Sequence, residues 1–558
     1  MKQMIMIRLR ALFLLALICF LVFFSCNEKE EPSPPGNFNL NSIRVNQQPD
    51  LTLVYDAPIN STVKLSFTAP IERATVQGNV LLKENDQVVI PLNFSYENND
   101  SILVLNSQTP LRYLTRYYLR VLNGLRSTGQ VTLGSDHIRE IHTSLDSSDK
   151  FPQIPDNALL DSIQRRTFRY FWDFGHPVSG LARERNSSGD LVTSGGSGFG
   201  IMAILVGINR NYITRTQGLA RMQTIVNFLR NNAQRFHGAF PHWLSGTTGV
   251  TIPFSPNDNG ADLVETSYLI NGLLCARQFF SGTDPAETDL RNKINQIWDA
   301  VEWNFFRKDN ENVLYWHWSP NLGFIINQQI RGWNEAMIVY VLAASARHDS
   351  IPPSVYHQGW ARGGAIRNGN SYFGYTLPLG PPNGGPLFFA HYSFLGIDPN
   401  GLNDTYANYQ TQVTNHTKIN YEYCRQNPRG FYGYSDQNWG LTACDVPNGY
   451  AVNEPYNDRG VIAPTAALSS FPYTPTESMK AAKFFYYKLG DKLWGQYGFY
   501  DAFSLKDIWF ANSTLAIDQG PIIVMIENYR SGLLWNLFTS CPEIKNGMRR
   551  LGFTAPYL

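Results

Sequence analysis

Hydrophobic and polar positions change rhythm along this chain, and the changes mark its parts. An apolar run from Ala11 to Phe24 follows Lys2, Arg8 and Arg10. From about residue 38 the rhythm is two. Val63-Lys64-Leu65-Ser66-Phe67 and Leu92-Asn93-Phe94-Ser95-Tyr96 alternate, and Ile102-Leu103-Val104-Leu105 is a short apolar run. Tyr117-Tyr118-Leu119-Arg120-Val121 and Ile138-Arg139-Glu140-Ile141-His142-Thr143 continue the series. Turn residues divide these runs, which predicts a small antiparallel β-sandwich over 38–146.

Past a linker from Ser147 to Pro155 the period becomes helical and stays so over 155–558. Leu159–Phe174, Arg215–Ala233 and Glu287–Phe306 are apolar on one side. Phe199–Ile208 is small and apolar, Ala261–Phe280 and Trp333–Ala346 are apolar nearly all round, and Asp404–Asn427 is polar. Pro475–Leu489, Pro521–Phe538 and Pro542–Leu551 complete the set. Helices apolar all round are buried and one-sided ones lie outside. Their alternation is what the inner and outer rings of an all-α (α/α)6 barrel produce. Long loops join them, among them Ser194-Gly195-Gly196-Ser197-Gly198, and loops of that length in a compact domain are usually functional.

Composition narrows the function without naming it. The chain is 43% hydrophobic and 16% charged with a formal net charge of +1, which gives no support to nucleic-acid binding. Aromatics make up 13%, enough to fill a helical core and still furnish loops with sugar-stacking rings. The N-terminal pattern reads as a lipoprotein signal over 1–26, with Ser25 before a lipidated Cys26. Its apolar run is shorter than the ~20 residues of a membrane span. Residues 27–37 read as a polar tether, so the expected location is the outer membrane, on its periplasmic face or the cell surface. Beyond Cys26, Cys275, Cys424, Cys444 and Cys541 are too widely spaced for a disulfide framework or a zinc site. Cys424 and Cys444 remain a candidate pair, and Cys275 reads as a small buried hydrophobe. No metal or other cofactor is expected, and the chain is read as a monomer.

Candidate chemistry lies where apolar helices begin. Asp258, Asp262 and Glu265 lie in Asn257-Asp258-Asn259-Gly260-Ala261-Asp262-Leu263-Val264-Glu265, and Glu335 lies in Trp333-Asn334-Glu335-Ala336. Asp262 at a helix start also suits the helix dipole, and Glu265 three residues on shares its face and is a candidate to hydrogen-bond the sugar or orient its neighbour. Glu335, followed by Ala-Met-Ile-Val-Tyr-Val-Leu, is expected at a crowded barrel mouth, where desolvation raises a carboxyl toward general-acid duty. Glycoside hydrolysis needs one carboxyl group to protonate the leaving oxygen and usually another to activate water or attack. Arg183, His391, Trp439 and Tyr500 are candidate sugar contacts, with packing the competing role for each. Asp501, Asp518, Glu454 and Asp458 are reserve candidates for the base. The Gly-rich segment at 194–198 lacks the Lys-Ser/Thr of a phosphate loop, so nucleotide binding is not expected.

Longer runs carry a family resemblance. Phe171-Trp172-Asp173-Phe174-Gly175-His176-Pro177, Gly180-Leu181-Ala182-Arg183-Glu184-Arg185, Ala261-Asp262-Leu263-Val264-Glu265-Thr266, Trp333-Asn334-Glu335 and Ala516-Ile517-Asp518-Gln519-Gly520-Pro521 are similar to the glycoamylase-like domain family. Phe388-Phe389-Ala390-His391-Tyr392-Ser393 and Tyr497-Gly498-Phe499-Tyr500-Asp501 add to it, and the whole resembles the β-1,2-glucanases of glycoside hydrolase family 144. Leu65-Ser66-Phe67-Thr68-Ala69-Pro70-Ile71 and Pro110–Tyr118 resemble a bacterial Ig-like module, for which a spacer role is expected. The resemblance implies an (α/α)6 fold, no metal, and inverting cleavage of β-1,2-glucan to short sophoro-oligosaccharides. It implies Glu335 as general acid with Asp258 or Asp262 toward the base, acting through water or a substrate hydroxyl. Exo release of sophorose, a non-catalytic glycan-binding lipoprotein and a polysaccharide lyase are the competing readings. A lyase would want Arg or Lys for a uronate and a Tyr or His base, which His391-Tyr392 leaves open but does not carry.

Overall fold

The computed structural model describes residues 37–558. The leader, the lipidation site Cys26 and nearly all of the tether lie outside the described residues. The chain divides into two compact units, ending at Asp146 and beginning at Ser147.

The first unit is a sandwich of two sheets. One has the order β1 (Leu40–Val45), β3 (Thr62–Phe67), β7 (Ile102–Ser107), β6 (Leu92–Glu97). The other has the order β2 (Leu53–Ala57), β9 (His137–Thr143), β8 (Arg116–Val121), β4 (Val80–Glu84), β5 (Val88–Ile90). Alternation decides the inner face: Val63, Leu65 and Phe67 are buried while Lys64 between them is exposed. Leu103, Leu105, Leu119, Val121 and Ile141 join them in one core. The sandwich departs from the antiparallel expectation at one place, because β2 runs parallel to β9.

The second unit is helical. It begins earlier than residue 155, for the segment read as a linker is bound to it. Lys150 N–H donates to the Tyr487 carbonyl at 2.7 Å, Lys488 reaches Asp149 at 2.6 Å, and Phe151 packs on Tyr486. Its longer helices are α1 (Asp156–Trp172), α2 (Ser194–Asn209), α3 (Arg215–Asn231), α4 (Leu263–Phe279), α5 (Pro285–Asp299) and α6 (Met337–Ser345). They continue as α7 (Tyr409–Gln426), α8 (Pro475–Lys483), α9 (Ala516–Ser531), α10 (Leu533–Thr539) and α11 (Pro542–Arg550). Helices α2, α4, α6 and α9 are buried nearly all round. Among them α2 packs on α4 and α9, and α4 packs on α6. Helices α1, α3 and α5 bury one stripe and lie outside these.

Several boundaries differ from the sequence reading, among them the break of the expected Pro521–Phe538 helix at Gly532 and the start of α7 at Tyr409 rather than Asp404. The glycine-rich stretch 194–198 is the first turn and a half of α2, not a loop. Its glycines serve close approach: a Cβ on Gly198 would stand 2.1 Å from the Tyr268 carbonyl oxygen of α4, and one on Gly272 would stand 2.2 Å from the Gly198 oxygen. Helix α9 begins at Ala516, five residues before Pro521, which it accommodates inside. Cys424 and Cys444 are both buried free thiols, so the candidate disulfide is not made. Cys444 Sγ instead lies 3.3 Å from the Asn453 side-chain amide.

Candidate active site

Asp262 is fully buried and caps α4. Its Oδ1 accepts from the Val264 and Glu265 backbone N–H groups at 3.0 and 2.9 Å. Its Oδ2 faces His242 Nδ1 at 3.1 Å. The backbone of Ala261–Asp262 pairs with His317–Trp318, bringing His317 Nε2 to 3.4 Å from Asp258 and 3.6 Å from Asp262. A turn in which Asp258 N–H donates to the Ser255 carbonyl at 3.0 Å fixes Asp258. Glu265 reaches sideways, accepting the Gly195 N–H at 2.8 Å and the Thr193 hydroxyl at 3.4 Å. It therefore sits on the first turn of α2, where exposed N–H groups favour an anion.

Environment divides these groups by charge. Burial pushes Asp258 up to about 7, with the Asp262 charge adding to it. Burial would raise Asp262 as well, yet the His242 hydrogen bond and both imidazoles hold it below the usual carboxylate range. Burial disfavours a charged His242, but Glu265 and Asp262 outweigh it and lift the ring to about 9. Burial lowers His317 below its ordinary value. Ligand atoms of His242, Asp258 and Asp262 lie within 4.8 Å of one another, close enough for one ion. Of these, His242 Nδ1 is engaged with Asp262 Oδ2 at 3.1 Å.

Glu335 occupies the turn just ahead of α6. Its backbone carbonyl accepts from the Ser393 and Tyr268 hydroxyls, and Asn334 Oδ1 takes the Ala336 N–H at 2.9 Å. Burial raises its carboxyl to about 7, with the charges of Glu265 and Asp262 contributing. Its protonated form is therefore populated at neutral pH.

A second acidic group stands at the start of α9. Asp501 and Asp518 face each other, and burial lifts Asp501 to about 7 and Asp518 well above the usual range. Burial and the Asp501 charge therefore favour the protonated form of Asp518. Asp501 Oδ2 accepts the Asp445 N–H at 2.6 Å, and Asp445 in turn takes the Arg185 guanidinium and the Ser513 hydroxyl. Tyr392 lies between the two groups, within electrostatic reach of Asp518, Glu335, Glu265 and Asp501.

A hollow of about 410 Å³ opens beside these acids, lined by Glu184, His242, Trp243, Phe254, Glu265 and Tyr450 among others. Charged groups among aromatic faces in a cavity of this size suit a polyhydroxylated ring. The family model described as "Putative glucoamylase" matches residues 327–542, and that of a bacterial Ig-like domain matches residues 51–137. An endo-β-1,2-glucanase structure from Chitinophaga pinensis, in complex with sophorotriose and glucose, aligns at 51% identity with a TM-score of 0.71. The alignment covers 73% of this chain and 100% of that one. The chain belongs to the glycoamylase-like family.

Other members bracket it. A β-1,2-glucanase structure from Parabacteroides distasonis covers 93% of this chain and 73% of its own at 36% identity, with a TM-score of 0.70. An exo β-1,2-glucooligosaccharide sophorohydrolase from Parabacteroides distasonis is 46% identical over 418 residues, 71% of this chain. The match spans 58% of that curated relative's length.

Within this glycoamylase-like unit Asp258, Asp262, Glu265 and Glu335 fall into one electrostatic group, and two of the expected sugar contacts, Trp439 and His391, are buried in the core. Trp439 is 0% exposed, donates its indole N–H to the Glu477 carbonyl and packs on Tyr421, so it offers no face to a ligand. His391 is buried against Ser470 and Tyr473, and burial depresses it to about 3, leaving a neutral core ring. Arg183 lies over Phe174 with its centre 4.6 Å from the ring, and Tyr500 packs on Gly495. Each of these three has a neighbour that does reach the acids or the hollow: Glu184 and Arg185, Tyr392, and Asp501. For His391 the sequence reading landed one residue off, because the turn carrying it has no period to set its facing. It missed His242, His317, Trp243, Phe254 and Tyr450. His242 and Trp243 stand together beside Pro241, and Trp316-His317-Trp318 alternates aromatic rings with a histidine, which were the available signals. Glu454 and Asp458 are not members of either group; Asp458 accepts from the Tyr434 hydroxyl at 2.8 Å.

Proposed function

We propose that this protein is a glycoside hydrolase that cleaves β-1,2-linked glucan to short sophoro-oligosaccharides with inversion. The observation that carries this is Glu335: a carboxyl raised to about 7 by desolvation and by the charges of Asp262 and of Glu265, which lines the aromatic hollow. Similarity to an endo-β-1,2-glucanase over 73% of this chain supports the substrate class. Glu335 gives its proton to the glycosidic oxygen as the C1–O bond breaks. A water oxygen bonds to C1 from the opposite face, and its proton passes to a carboxylate directly or through a substrate hydroxyl. Asp262 has both oxygens engaged, one on the cap and one on His242, which makes it the positioning member. Asp258, with no helix to cap, takes the proton. The Asp501–Asp518 pair supports a second reading, in which the base lies across the hollow.

The succession of inner helices α2, α4, α6 and α9 under outer ones supports closure into an (α/α)6 barrel. The basic, apolar and small-then-Cys pattern of residues 1–26 supports a lipid anchor at Cys26 in the outer membrane, and a monomer is the expected state. The test of function is product analysis on linear β-1,2-glucan, with anomer detection by NMR, for the unaltered protein and Glu335→Gln, Asp258→Asn and Asp518→Asn. Soluble oligosaccharides that vanish with Glu335→Gln are expected. No cleavage by the unaltered protein sinks the reading, and loss with Asp518→Asn but not Asp258→Asn moves the base to the second pair. Palmitate incorporation, lost in Cys26→Ser, tests the anchor.

A further inference from the structure

Tyr450 stands apart among the aromatics of this unit. It projects from a two-stranded hairpin, Ala443–Val446 against Gly449–Val452, and is 46% exposed although its neighbours Ala443 and Cys444 are buried. It lines the hollow of about 410 Å³ that holds His242, Trp243 and Glu265. It also lines a second hollow of about 660 Å³, whose walls include Arg185, Asp445, Trp509 and Asn512. Arg185 is the other residue that both share. The base of the hairpin is fixed from below: Asp445, paired with Tyr450 across the strands, is tied to Asp501, Arg185 and Ser513. The ring therefore sits on a rigid support beside the second acidic group, with its position set relative to the reacting carboxylates.

We propose that Tyr450 is a sugar platform at the partition between the two hollows, and that a glucan chain bound over the catalytic carboxylates continues past it into the hollow of Arg185 and Trp509. A glucosyl ring presents C–H faces to an aromatic plane and hydroxyls at its edge. The second hollow supplies both needs, a ring in Trp509 and edge partners in Arg185, Asp445 and Asn512. This subsite would bind glucosyl units remote from the cleaved bond, so it discriminates by chain length rather than by bond type. The proposal rests on the reading of the protein as a β-1,2-glucan hydrolase.

The experiment compares kcat and KM of the full chain on β-1,2-glucooligosaccharides of increasing length and on the polymer, for the unaltered protein, Tyr450→Ala and Tyr450→Phe. Loss of one stacking contact is expected to raise KM for the longest substrates about tenfold. The shortest cleaved oligosaccharide should lose clearly less than the longest, and Tyr450→Phe, which keeps the ring, should restore the long-chain KM. Because Tyr450 is exposed, a folded variant is expected, checked by its thermal midpoint. Tyr450→Ala acting equally at every length, or at none, overturns the platform while leaving the hydrolase reading intact. No turnover by the unaltered protein on any length removes the hydrolase reading and the platform with it.

Discussion

His242 Nδ1 lies 3.1 Å from Asp262 Oδ2, and the pair sets the charge pattern of the first acidic group. The imidazole is lifted from its ordinary 6.5 to about 9, so it is charged when folded at pH values where it would be neutral unfolded. Stability from a raised histidine is complete below the unfolded value, about pH 6.5, and is lost as pH rises through about 9. The shift corresponds to at most roughly 3 kcal/mol. Urea unfolding from about pH 6 to about pH 10 should show this decline, and His242→Gln should flatten it. A wild-type profile with the same slope as the variant would show that the pair is not charged as described.

Glu335→Gln keeps size and hydrogen-bonding capacity but has no proton to deliver. Turnover on β-1,2-glucan should fall by about 10²–10⁴-fold, or roughly 3–5 kcal/mol of barrier, with oligosaccharide binding retained. Asp262→Asn makes a useful contrast, because Asn caps a helix about as well as Asp. Its α4 should persist while the ion pair with His242 is lost, so its defect should include the pH-stability change above. Near-normal turnover by Glu335→Gln would move the acid to another carboxyl.

Two opposed ionisations near neutrality define a narrow pH profile. Glu335, at about 7, must be protonated, so kcat/KM falls as pH rises above that value. Asp258, also at about 7, must be ionised to accept a proton, so the rate falls below it. The result is a bell centred near neutral pH whose limbs belong to the coupled set. The residual activity of Glu335→Gln should lack the alkaline limb, and Asp258→Asn should lack the acidic one. A broad plateau spanning several pH values would contradict both assignments.

Periodicity carried most of this fold. All-round apolar runs such as 261–280 became buried helices, and one-sided runs such as 215–233 became outer ones. The alternation Val63, Leu65, Phe67 likewise gave the inner face of a sheet. The helix-start carboxylates were legible for the same reason, since Asp262 and Glu265 are tied to a strong period. What was not legible depends on tertiary contact. His242, from a bend, and His317, from a short strand, approach Asp262 from other parts of the chain, and Tyr450 reaches the hollow from a hairpin that only the folded unit positions. Trp439 and His391 were aromatic residues in loop-like sequence, and their burial is decided by what packs over them. The glycines at 194–198 misled in the same way: absence of side chains reads as a loop locally, yet here it lets α2 lie against α4.

That close approach gives the last prediction. A Cβ at Gly198 would meet the Tyr268 carbonyl oxygen at 2.1 Å and its carbon at 2.5 Å. Both belong to the backbone of a buried helix, which cannot turn aside as a flexible side chain would. The two helices must separate, and overpacking of this kind costs typically about 1–3 kcal/mol. Ala is the better helix former by about 1 kcal/mol, so propensity alone would favour the substitution. The sign of the measured change therefore separates the two effects. Gly189→Ala is the control, since a Cβ there meets nothing within 4 Å. Gly198→Ala should lower the urea midpoint and also slow turnover, because moving α4 away from α2 pulls Glu265 from the Gly195 N–H that it accepts at 2.8 Å. A midpoint equal to or above that of the unaltered protein would show that the helices have room to spare, and that the glycines serve something other than close packing.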